Sequence, residues 1–480
     1  MKQRKAATRS KIVCTIGPAC ESKDKLLEMS KVGMDVLRLN LSHGTFDEHR
    51  ARFERIRKHL PNLPILMDLE GPRVRIGEMT EEVLLNEGDH ITLTTDDIVG
   101  DATRVSVSLK TLPSSVGKGR SIFINDGIVE LQVDSIKGND IQCSVVSGGE
   151  ISSHKGVNVP NVDLGMSVPT LQDIEHLKFI AQLEPEFIAV SAVKRRSEVE
   201  KVVNFLHNEG IEIPVISKIE HTMAIENFDD ILDCSYGIMI ARGDLGVEIP
   251  PEQVPLLQKE IIQKCNRAGK PVIVATQMLE SMVRNIRPTR AETSDVANAI
   301  LDGADAVMLS AETAVGKHPV AAVRVMETIA THAICAYPQR DPEYYASHQR
   351  NIAEELGRAV LSIAKNLDVR TVLVFTMAGY TARMVSKYRP FVRIVASTPH
   401  QRVQRQLKLL WGTETLLAQH YEDMDALLLS TTKQLHQNKV ITADERIIVV
   451  RASSLIPGKT NIIEVFTVAE VLQAQLPKNR

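Results

Sequence analysis

The sequence has few of the features that mark disulfide-stabilised, zinc-binding or membrane-spanning proteins. Its 6 cysteines in 480 residues are scattered and form no Cys-x-x-Cys pair, which argues against a disulfide framework or a zinc site. The pattern predicts that the thiols are buried and that the protein is cytoplasmic. No stretch approaches the roughly 20 apolar residues of a membrane span. The basic start, MKQRKAATRSK, is not followed by the apolar segment of a signal peptide.

Charge of either sign is not in excess. The chain has 57 Lys and Arg against 60 Asp and Glu, so a nucleic-acid role would need a local basic patch. We therefore expect neither a nucleic acid nor a membrane as a partner.

Short apolar, β-rich segments alternate with helical stretches over the first 336 residues. Eight are present: KIVCTI (11–16), VLRLNLS (36–42), PILMDL (64–69), FIAVSAV (187–193), PVISKI (214–219), GIMIAR (237–242), PVIVATQ (271–277) and DAVMLSAE (305–312). Continuous apolar strands separated by helices indicate a parallel sheet buried on both faces, and eight such units indicate a (β/α)8 or TIM barrel.

Two regions fall outside this pattern. Short alternating strands with Gly, Asn and Asp turns predict a small all-β domain inserted after the third barrel strand, and a Pro- and Tyr-rich linker at 337 leads into further strands and helices. The predicted fold is therefore α/β, with a barrel formed by 1–71 and 158–336, an inserted β domain at 72–157 and a C-terminal α/β domain at 337–480.

Polar residues cluster at the carboxyl ends of the predicted barrel strands, where the active sites of this fold lie. They are Arg38, Asn40, Ser42 and His43 after the second strand, Asp68 after the third, Lys218 and Glu220 after the fifth, Arg242, Gly243 and Asp244 after the sixth, Thr276 and Gln277 after the seventh, and Ser310 and Glu312 after the eighth. Any one of them is equally well explained by capping or by a rim charge, but together they predict a site.

Two strand ends indicate the chemistry. Lys218 and Glu220 stand two positions apart, which on a strand places both side chains on one face about 7 Å apart. Glu220 and Asp244 on adjacent strands suit a hard divalent metal such as Mg²⁺. Arg38 and Lys218 add the positive charge that an anionic, phosphorylated substrate needs. The residues alone predict metal-assisted chemistry on a phosphate or carboxylate substrate.

Several longer motifs closely resemble those of the pyruvate kinase family. They are RLNLSHG (38–44), SKIE (217–220), ARGDLGVEI (241–249), ATQMLESM (275–282), PTRAE (288–292), DVANA (295–299) and MLSAETA (308–314). The resemblance covers nearly all of the chain and includes the order of its three domains. It implies phosphoryl transfer from phosphoenolpyruvate to ADP, giving pyruvate and ATP in the last step of glycolysis, by a cytoplasmic homotetramer.

The resemblance also implies roles for individual residues. Lys218 would stabilise the transferring phosphoryl group, and Glu220 and Asp244 would bind Mg²⁺ or Mn²⁺. The backbone at Gly243 and Asp244, with Thr276, would hold the substrate carboxylate. Thr276 would also lie near the carbon that gains a proton.

Other matching positions concern phosphate and nucleotide. Arg38 would clamp a phosphate, and the inserted domain would close as a lid that excludes water. The nucleotide-binding positions of the family fall on Asn40, His43, Arg75 and Lys155.

The end of the third strand departs from the family pattern. Many members read Asp-Thr-Lys-Gly-Pro-Glu there, and this chain reads DLEGPR (68–73). In the family that Glu accompanies a bound K⁺, so the guanidinium of Arg73 is expected to supply the charge and to make activity independent of K⁺. The alternative is that Arg73 merely pairs with Glu70. The monovalent-cation site of the family falls on Asn40, Ser42, Asp68 and Leu69.

Two other positions also differ from the family. Tyr236 stands at the start of the sixth strand, where the family often has Asp, and is expected to have structural consequences only. Ala192 replaces a frequent aromatic residue at the end of the fourth strand. The sequence offers no account of this second change.

The segment FTMAGYTARMVSKYRP (375–390) resembles the effector loop and helix of the family, where hydroxyls and amides at a helix N-terminus hold a sugar phosphate. Met377 and Ala378 remove donors that many members have there. The expected effector is therefore a sugar phosphate or a nucleoside monophosphate, but not fructose 1,6-bisphosphate. The candidate effector residues are Thr376, Gly379 and Thr381, with Arg451, Lys459 and Thr460 as further candidates.

Two other functions would share part of this site. A metal-dependent lyase or mutase acting through an enolate would use Mg²⁺, Arg38 and the carboxylates, but would not need a nucleotide lid with Arg75 and Lys155. A non-catalytic regulatory protein would be expected to have lost Lys218 or a metal ligand, and all are present. Dependence of product formation on ADP separates these alternatives.

Overall fold

Eight parallel strands close into a barrel, as the sequence predicts. The computed structural model describes residues 9–338, 340–347, 351–418, 423–452 and 460–474. The barrel strands, numbered 1 to 8 below, are Lys11–Thr15, Val36–Asn40, Ile65–Asp68, Phe187–Val190, Val215–Ile219, Gly237–Ala241, Val272–Ala275 and Ala306–Leu309. Each predicted segment contains one of them.

The alternation of side chains along the strands explains both the core and the site. Alternate residues such as Leu66 and Ile216 fill the barrel interior, while their neighbours pack outward against the helices. Because the side-chain period of a strand is two, Asp68 and Lys218 share the interior face with Leu66 and Ile216. The apolar rows inside the barrel therefore end in charges at the carboxyl ends of the strands.

Helices surround the barrel, and several of them begin or end at residues expected from capping chemistry. Thr45 forms a capping box with Glu48, and Gly33 ends the first helix with φ 146°. The barrel helices are Lys23–Val32, Phe46–His59, Leu171–Leu183, Arg196–Asn208, Thr222–Glu226, Phe228–Cys234, Arg242–Glu248, Val254–Ala268, Arg290–Asp302, Ala311–Ala314 and Pro319–Cys335, with 3₁₀ turns at Pro251–Gln253 and Glu280–Val283.

The inserted region lies between barrel strands 3 and 4 and is built almost entirely of strands. Its larger sheet has seven strands in the order Val74–Arg75, Gly156–Asn158, Ser121–Ile124, Val129–Lys137, Asp140–Ser147, His90–Thr94 and Arg104–Ser106, and a smaller sheet pairs Val83–Leu85 with Gly149–Ile151. A single helical turn, Leu112–Ser115, is the one departure from the all-β prediction among the described residues.

The C-terminal region is an α/β layer structure, as predicted. Its sheet has the order Thr413–Leu417, Arg393–Thr398, Thr371–Phe375, Arg446–Ala452 and Thr460–Thr467, with the last strand antiparallel. Its helices are Ile352–Asn366, Tyr380–Lys387, Gln401–Gln406, Met424–Gln437 and Val468–Gln473, with 3₁₀ turns at Pro342–Tyr344 and Leu407–Leu409. A strand begins at Thr460, so the tripeptide Gly-Lys-Thr (458–460) does not belong to a P-loop, whose lysine precedes a helix. Lys459 itself lies outside the described residues.

The C-terminal region packs against the amino-terminal end of the barrel, opposite the charged end. Arg389 donates from Nη1 to Asp305 Oδ1 over 2.7 Å, and both side chains are buried. The ring of Tyr236 lies 5.3 Å from the guanidinium carbon of Arg383. Tyr236 therefore lies far from the strand ends that carry the candidate site, as expected.

The burial of the cysteines agrees in part with the expectation from the sequence. All 6 cysteines are unpaired, but only four are buried, since Cys234 is half-buried and Cys335 is exposed. The expectation of buried thiols is therefore wrong for Cys335, whose side chain lies on the outer face of a peripheral helix.

Among the described residues, no helix combines the length and the apolar character needed to cross a bilayer.

Candidate active site

A fully buried carboxylate is the centre of the charged barrel end. Asp68, at the end of strand 3, accepts from Arg38 Nε at Oδ2 over 2.7 Å, and its Oδ1 lies 3.4 Å from Lys218 Nζ. Burial alone would raise the pKa of Asp68, but Lys218 and Arg38 hold it below its usual value. Asp68 is therefore ionised at neutral pH and holds the positively charged side chains of Arg38 and Lys218 at the site.

Lys218 is surrounded by acceptors. Its Nζ lies 2.8 Å from Glu220 Oε1 and donates to Ser191 Oγ over 2.7 Å. Burial would lower the pKa of Lys218, but Asp68, Glu220 and Asp244 together raise it above its ordinary value. Lys218 and Glu220 are in direct contact, as their spacing predicts, although strand 5 ends at Ile219.

Glu220 and Asp244 are the two candidate metal ligands, and they interact. Burial and the neighbouring charge of Glu220 raise the pKa of Asp244 to about 6. Glu220 is held by the ammonium of Lys218 and by the backbone N–H of Ala192, which donates to Oε2 over 2.7 Å. Asp244 accepts no hydrogen bond from any residue that the structure describes. A half-buried carboxylate that accepts no hydrogen bond from the described residues, and that lies beside a second carboxylate, suits a divalent cation.

Two carboxylates suit Mg²⁺ better than they suit a metal whose ligands all come from the protein. The described residues contain no group of three or more His, Cys, Asp or Glu side chains placed to hold an ion. Mg²⁺ is typically bound by one or two carboxylates and completes its shell with water or substrate oxygens. Asp244 lies in the helix Arg242–Glu248, not in strand 6, which ends at Ala241.

A strained turn follows strand 7. Thr276 and Gln277 have φ values of 68° and 54°, a left-handed conformation that non-glycine residues adopt only when their surroundings impose it. The Thr276 hydroxyl accepts from the N–H of Gly243 over 2.7 Å, and Arg242 Nη2 donates to the Thr276 carbonyl over 3.0 Å. Arg242 and Gly243, at the start of the helix that follows strand 6, thus hold this turn in place.

Sequence reasoning placed Arg242 and Glu312 at strand ends but missed what they do. Arg242 Nη1 donates to Asp295 over 2.7 Å, so the guanidinium connects the Thr276 turn to a neighbouring helix. Glu312 is fully buried and accepts from the backbone N–H groups of Leu279 and Ser310. Both residues position backbone at the barrel end. The only sequence signal was their place at a strand end.

Asn40, Ser42 and His43 follow strand 2, and the first of them lies beside Asp68. Asn40 pairs with Asp68 in the barrel register, and its Oδ1 accepts from the Ser42 N–H over 3.3 Å. The His43 side chain is exposed. The structure thus brings together the four candidate positions for a monovalent cation, Asn40, Ser42, Asp68 and Leu69. Both oxygens of Asp68, however, already contact the positively charged side chains of Arg38 and Lys218.

The inserted region brings a second set of candidates over the barrel. Arg75 and Lys155 lie on neighbouring chain segments, since Arg75 pairs with Gly156. Arg75 Nη2 lies 3.0 Å from Glu70 Oε1. The alternative in which Glu70 pairs with Arg73 is therefore wrong, because Glu70 pairs with Arg75 instead. Arg73 is exposed and forms no ion pair with any described residue.

A cavity of about 130 Å³ lies between the barrel end and the inserted region. The barrel contributes Ala192, Lys194, Glu220, His221, Asp244 and Glu248, and the inserted region contributes Arg73, Asp126 and Val157, among others. The positive charge of Arg73 works against the rise in the pKa of Asp244. Arg73 therefore acts electrostatically on a candidate metal ligand.

Glu248 makes the metal-free protein sensitive to pH. Burial, with a smaller contribution from Asp244, raises the pKa of Glu248 from 4.5 to about 7. Its neighbour His221, 3.5 Å away, has its own pKa lowered by burial and supplies little positive charge. The folded state thus binds a proton that the unfolded state has lost, so stability falls as pH rises between these two values.

Glu248→Gln is therefore expected to stabilise the metal-free protein above pH 7 by up to about 3 kcal/mol and to have little effect at about pH 3.5, where Glu248 is protonated in both states. Denaturant unfolding across this range measures the difference. Glu252→Gln, at an exposed position, is the matched control. An equal effect of Glu248→Gln at both ends of the range would contradict the assignment.

The candidate effector residues lie at the other end of the molecule. Gly379 caps the helix Tyr380–Lys387 with φ 86°, and its N–H donates to Thr376 Oγ1 over 3.0 Å. The Thr381 hydroxyl forms a hydrogen bond with that of Thr460. The three residues thus lie together at a helix N-terminus, with the side chain of Met377 exposed beside them.

Comparison with known proteins agrees with this fold. Residues 7–323 match the family described as pyruvate kinase, barrel domain, and residues 354–466 match pyruvate kinase, alpha/beta domain. Pyruvate kinase from Bacillus licheniformis is 41% identical over 475 residues, which cover 97% of this chain and 81% of that protein. The enzymes from Geobacillus stearothermophilus and Staphylococcus epidermidis are each 40% identical, over 97% and 96% of this chain and 81% of their own lengths. The chain therefore belongs to the pyruvate kinase family, whose members transfer the phosphoryl group of phosphoenolpyruvate to ADP.

Proposed function

We propose that phosphoryl transfer from phosphoenolpyruvate to ADP takes place at the charged end of the barrel. The residues proposed to carry it out are Arg38, Lys218, Glu220, Asp244 and Thr276. The observation that carries the proposal is the position of the Lys218 ammonium among three carboxylates, two of which are the candidate metal ligands. An ammonium beside a divalent-metal site is suited to the charge of a transferring phosphoryl group. The kcat of Lys218→Met tests the proposal.

Each of these residues has a distinct task in the proposal. Glu220 and Asp244 bind Mg²⁺ or Mn²⁺, which when present polarises substrate oxygens and neutralises charge. Lys218 and Arg38 hold the phosphoryl group. The backbone at Gly243 and the Thr276 hydroxyl orient the carboxylate of phosphoenolpyruvate, and Thr276 lies near the carbon that takes up the proton.

The inserted domain, residues 72–157, is proposed to act as a lid over ADP. Asn40 and His43 contact the nucleotide from the barrel, and Arg75 and Lys155 contact it from the lid. The cavity between the two parts supports this arrangement, because closing it excludes water and favours transfer to ADP over hydrolysis. The remaining proposed domains are the barrel at 1–71 and 158–336 and a regulatory domain at 337–480.

Independence from K⁺ is proposed as a further property. Two features support it: the Arg73 charge reaches Asp244, and Asp68 is already neutralised by Arg38 and Lys218. A guanidinium at this position supplies the positive charge that K⁺ otherwise provides, while Asn40, Ser42 and Leu69 retain the positions of the cation site.

Addition of K⁺ to a K⁺-free assay is therefore expected to change the rate of the parent protein less than about twofold, whereas Arg73→Glu is expected to gain about tenfold activation, equivalent to about 1.4 kcal/mol of barrier. Arg195→Glu, at an exposed position on the barrel, controls for the change in net charge. A tenfold activation of the parent protein by K⁺ would rule out the role of Arg73.

Allosteric control by a phosphorylated metabolite is proposed for the loop at Thr376, Gly379 and Thr381. Its support is a hydroxyl-rich helix N-terminus, where backbone N–H groups favour phosphate. A sugar phosphate or AMP is expected to bind, and titration calorimetry with several sugar phosphates and AMP measures this. Absence of heat from all of them would remove the regulatory proposal. By resemblance to the family, the active form is proposed to be a cytoplasmic homotetramer.

A further inference from the structure

The end of barrel strand 4 contacts both functional residues of strand 5. This two-residue segment, Ser191 and Ala192, is called the strand-4 tip below. Ser191 Oγ accepts from Lys218 Nζ over 2.7 Å and donates to the carbonyl oxygen of Leu69 over 2.7 Å. Ser191 is only 3% exposed. A serine hydroxyl has a single proton to donate, so its direction is fixed by Leu69 and a lone pair is left for Lys218.

Ala192 serves Glu220 through its backbone. Its φ is 54°, which turns the chain out of the extended conformation at this residue. In that conformation the Ala192 N–H donates to Glu220 Oε2 over 2.7 Å. Left-handed backbone is unfavourable for bulky residues and less so for a small one. This gives a physical reason for alanine at a position where the family often has an aromatic residue.

Packing from the third strand's end holds the tip in place. Gly71 has φ 73°, and a Cβ added there would stand 2.7 Å from Ser191 Cβ. The backbone at Gly71 thus lies directly against Ser191 and leaves its side chain no room to move away. The tip is therefore restrained by Leu69 and Gly71 on one side and by Lys218 and Glu220 on the other.

We infer that the strand-4 tip is a positioning element for phosphoryl transfer, and that Ser191 is a positioning residue that fixes the ammonium of Lys218. The inference rests on the proposed roles of Lys218 and Glu220. Lys218 has three neighbouring carboxylates that attract it, and a flexible side chain among them has no single preferred direction without a further contact. The Ser191 hydroxyl supplies a neutral fourth contact that selects one position.

Ser191→Ala tests the inference, with Ser217→Ala as the matched control. Ser217 is fully buried in strand 5 next to Lys218, but its hydroxyl contacts Ser235 over 2.6 Å on the outer face of the barrel. Ser191→Ala loses the hydrogen bonds to Lys218 and Leu69, and Ser217→Ala loses the one to Ser235, so each variant removes a buried hydroxyl from a barrel strand or its end. If misplacement of a catalytic group is the cause, Ser191→Ala should lower kcat by about 10- to 100-fold. The KM for phosphoenolpyruvate should change much less, and the Tm of each variant should stay well above the assay temperature.

Three outcomes would overturn the inference. One is a kcat for Ser191→Ala equal to that of Ser217→Ala. Another is a loss of activity explained by a lower folded fraction, which the Tm values would reveal. The third is full activity of Lys218→Met, in which case the proposed function of Lys218 fails and the inference fails with it. Inactive Lys218→Met with normal Ser191→Ala would remove the inference alone.

Discussion

Lys218→Met is expected to lower kcat by about 10³-fold or more, because it removes the positive charge that the site places against the transferring phosphoryl group. The ammonium lies within 3.4 Å of Asp68 and 2.8 Å of Glu220, and its pKa is raised, so it is charged throughout the working pH range. Methionine retains most of the side-chain volume and none of the charge. Steady-state rates of pyruvate formation at saturating substrate measure the effect.

Lys270→Met provides the matched control for that prediction. Lys270 is half-buried and donates to the carbonyl oxygens of Leu232 and Asp233, so its replacement also removes a lysine with two close acceptors. It lies at the opposite end of the barrel, where residues contribute to stability more than to catalysis. Its kcat should remain close to that of the parent. If both variants lost activity equally, the special role of Lys218 would be wrong.

Glu220→Ala is expected to raise the Mg²⁺ concentration for half-maximal activity by at least about 100-fold, since even residues that only support a metal ligand contribute 10- to 100-fold. Removing Glu220 also removes the repulsion that, with burial, raises the pKa of Asp244 to about 6. Asp244 alone then offers one carboxylate. Activity measured across a Mg²⁺ titration, and Mn²⁺ binding to the substrate-free protein by paramagnetic resonance, both report the loss.

Glu252→Ala is the control for the metal prediction. Glu252 is exposed and lies a short distance along the chain from Asp244, so the variant changes net charge by the same amount without touching the site. Its Mg²⁺ requirement should equal that of the parent. An unchanged requirement in Glu220→Ala, by either readout, would mean that this carboxylate does not bind the metal.

Much of the fold was predictable because a parallel barrel imposes a simple pattern on sequence. Each strand is buried on both faces and therefore reads as an apolar run. The side-chain period of two explains why Lys218 faces the barrel interior with Ile216, and Asp68 with Leu66. The motif residues at the strand ends were found for the same reason, and the structure brings Arg38, Asp68, Lys218, Glu220, Asp244 and Thr276 together.

The contacts between strands were not predictable from local sequence. Ser191 and Ala192 contact residues 27 and 28 positions away, a pairing that exists only after the barrel has closed. The pairing of Glu70 with Arg75 rather than Arg73 depends on where the inserted strand begins. The left-handed turn at Thr276 likewise results from tertiary contacts, since no local sequence preference of threonine favours it.

Simultaneous measurement of pyruvate and ATP, formed from phosphoenolpyruvate, ADP and Mg²⁺ by the parent protein and by Lys218→Met, tests the central claim most directly. If phosphoryl transfer takes place at the Lys218 site, the parent forms the two products in equal amounts, forms neither without ADP, and loses both together in the variant. Pyruvate formed without ADP, or formed by Lys218→Met at the parental rate, would contradict it.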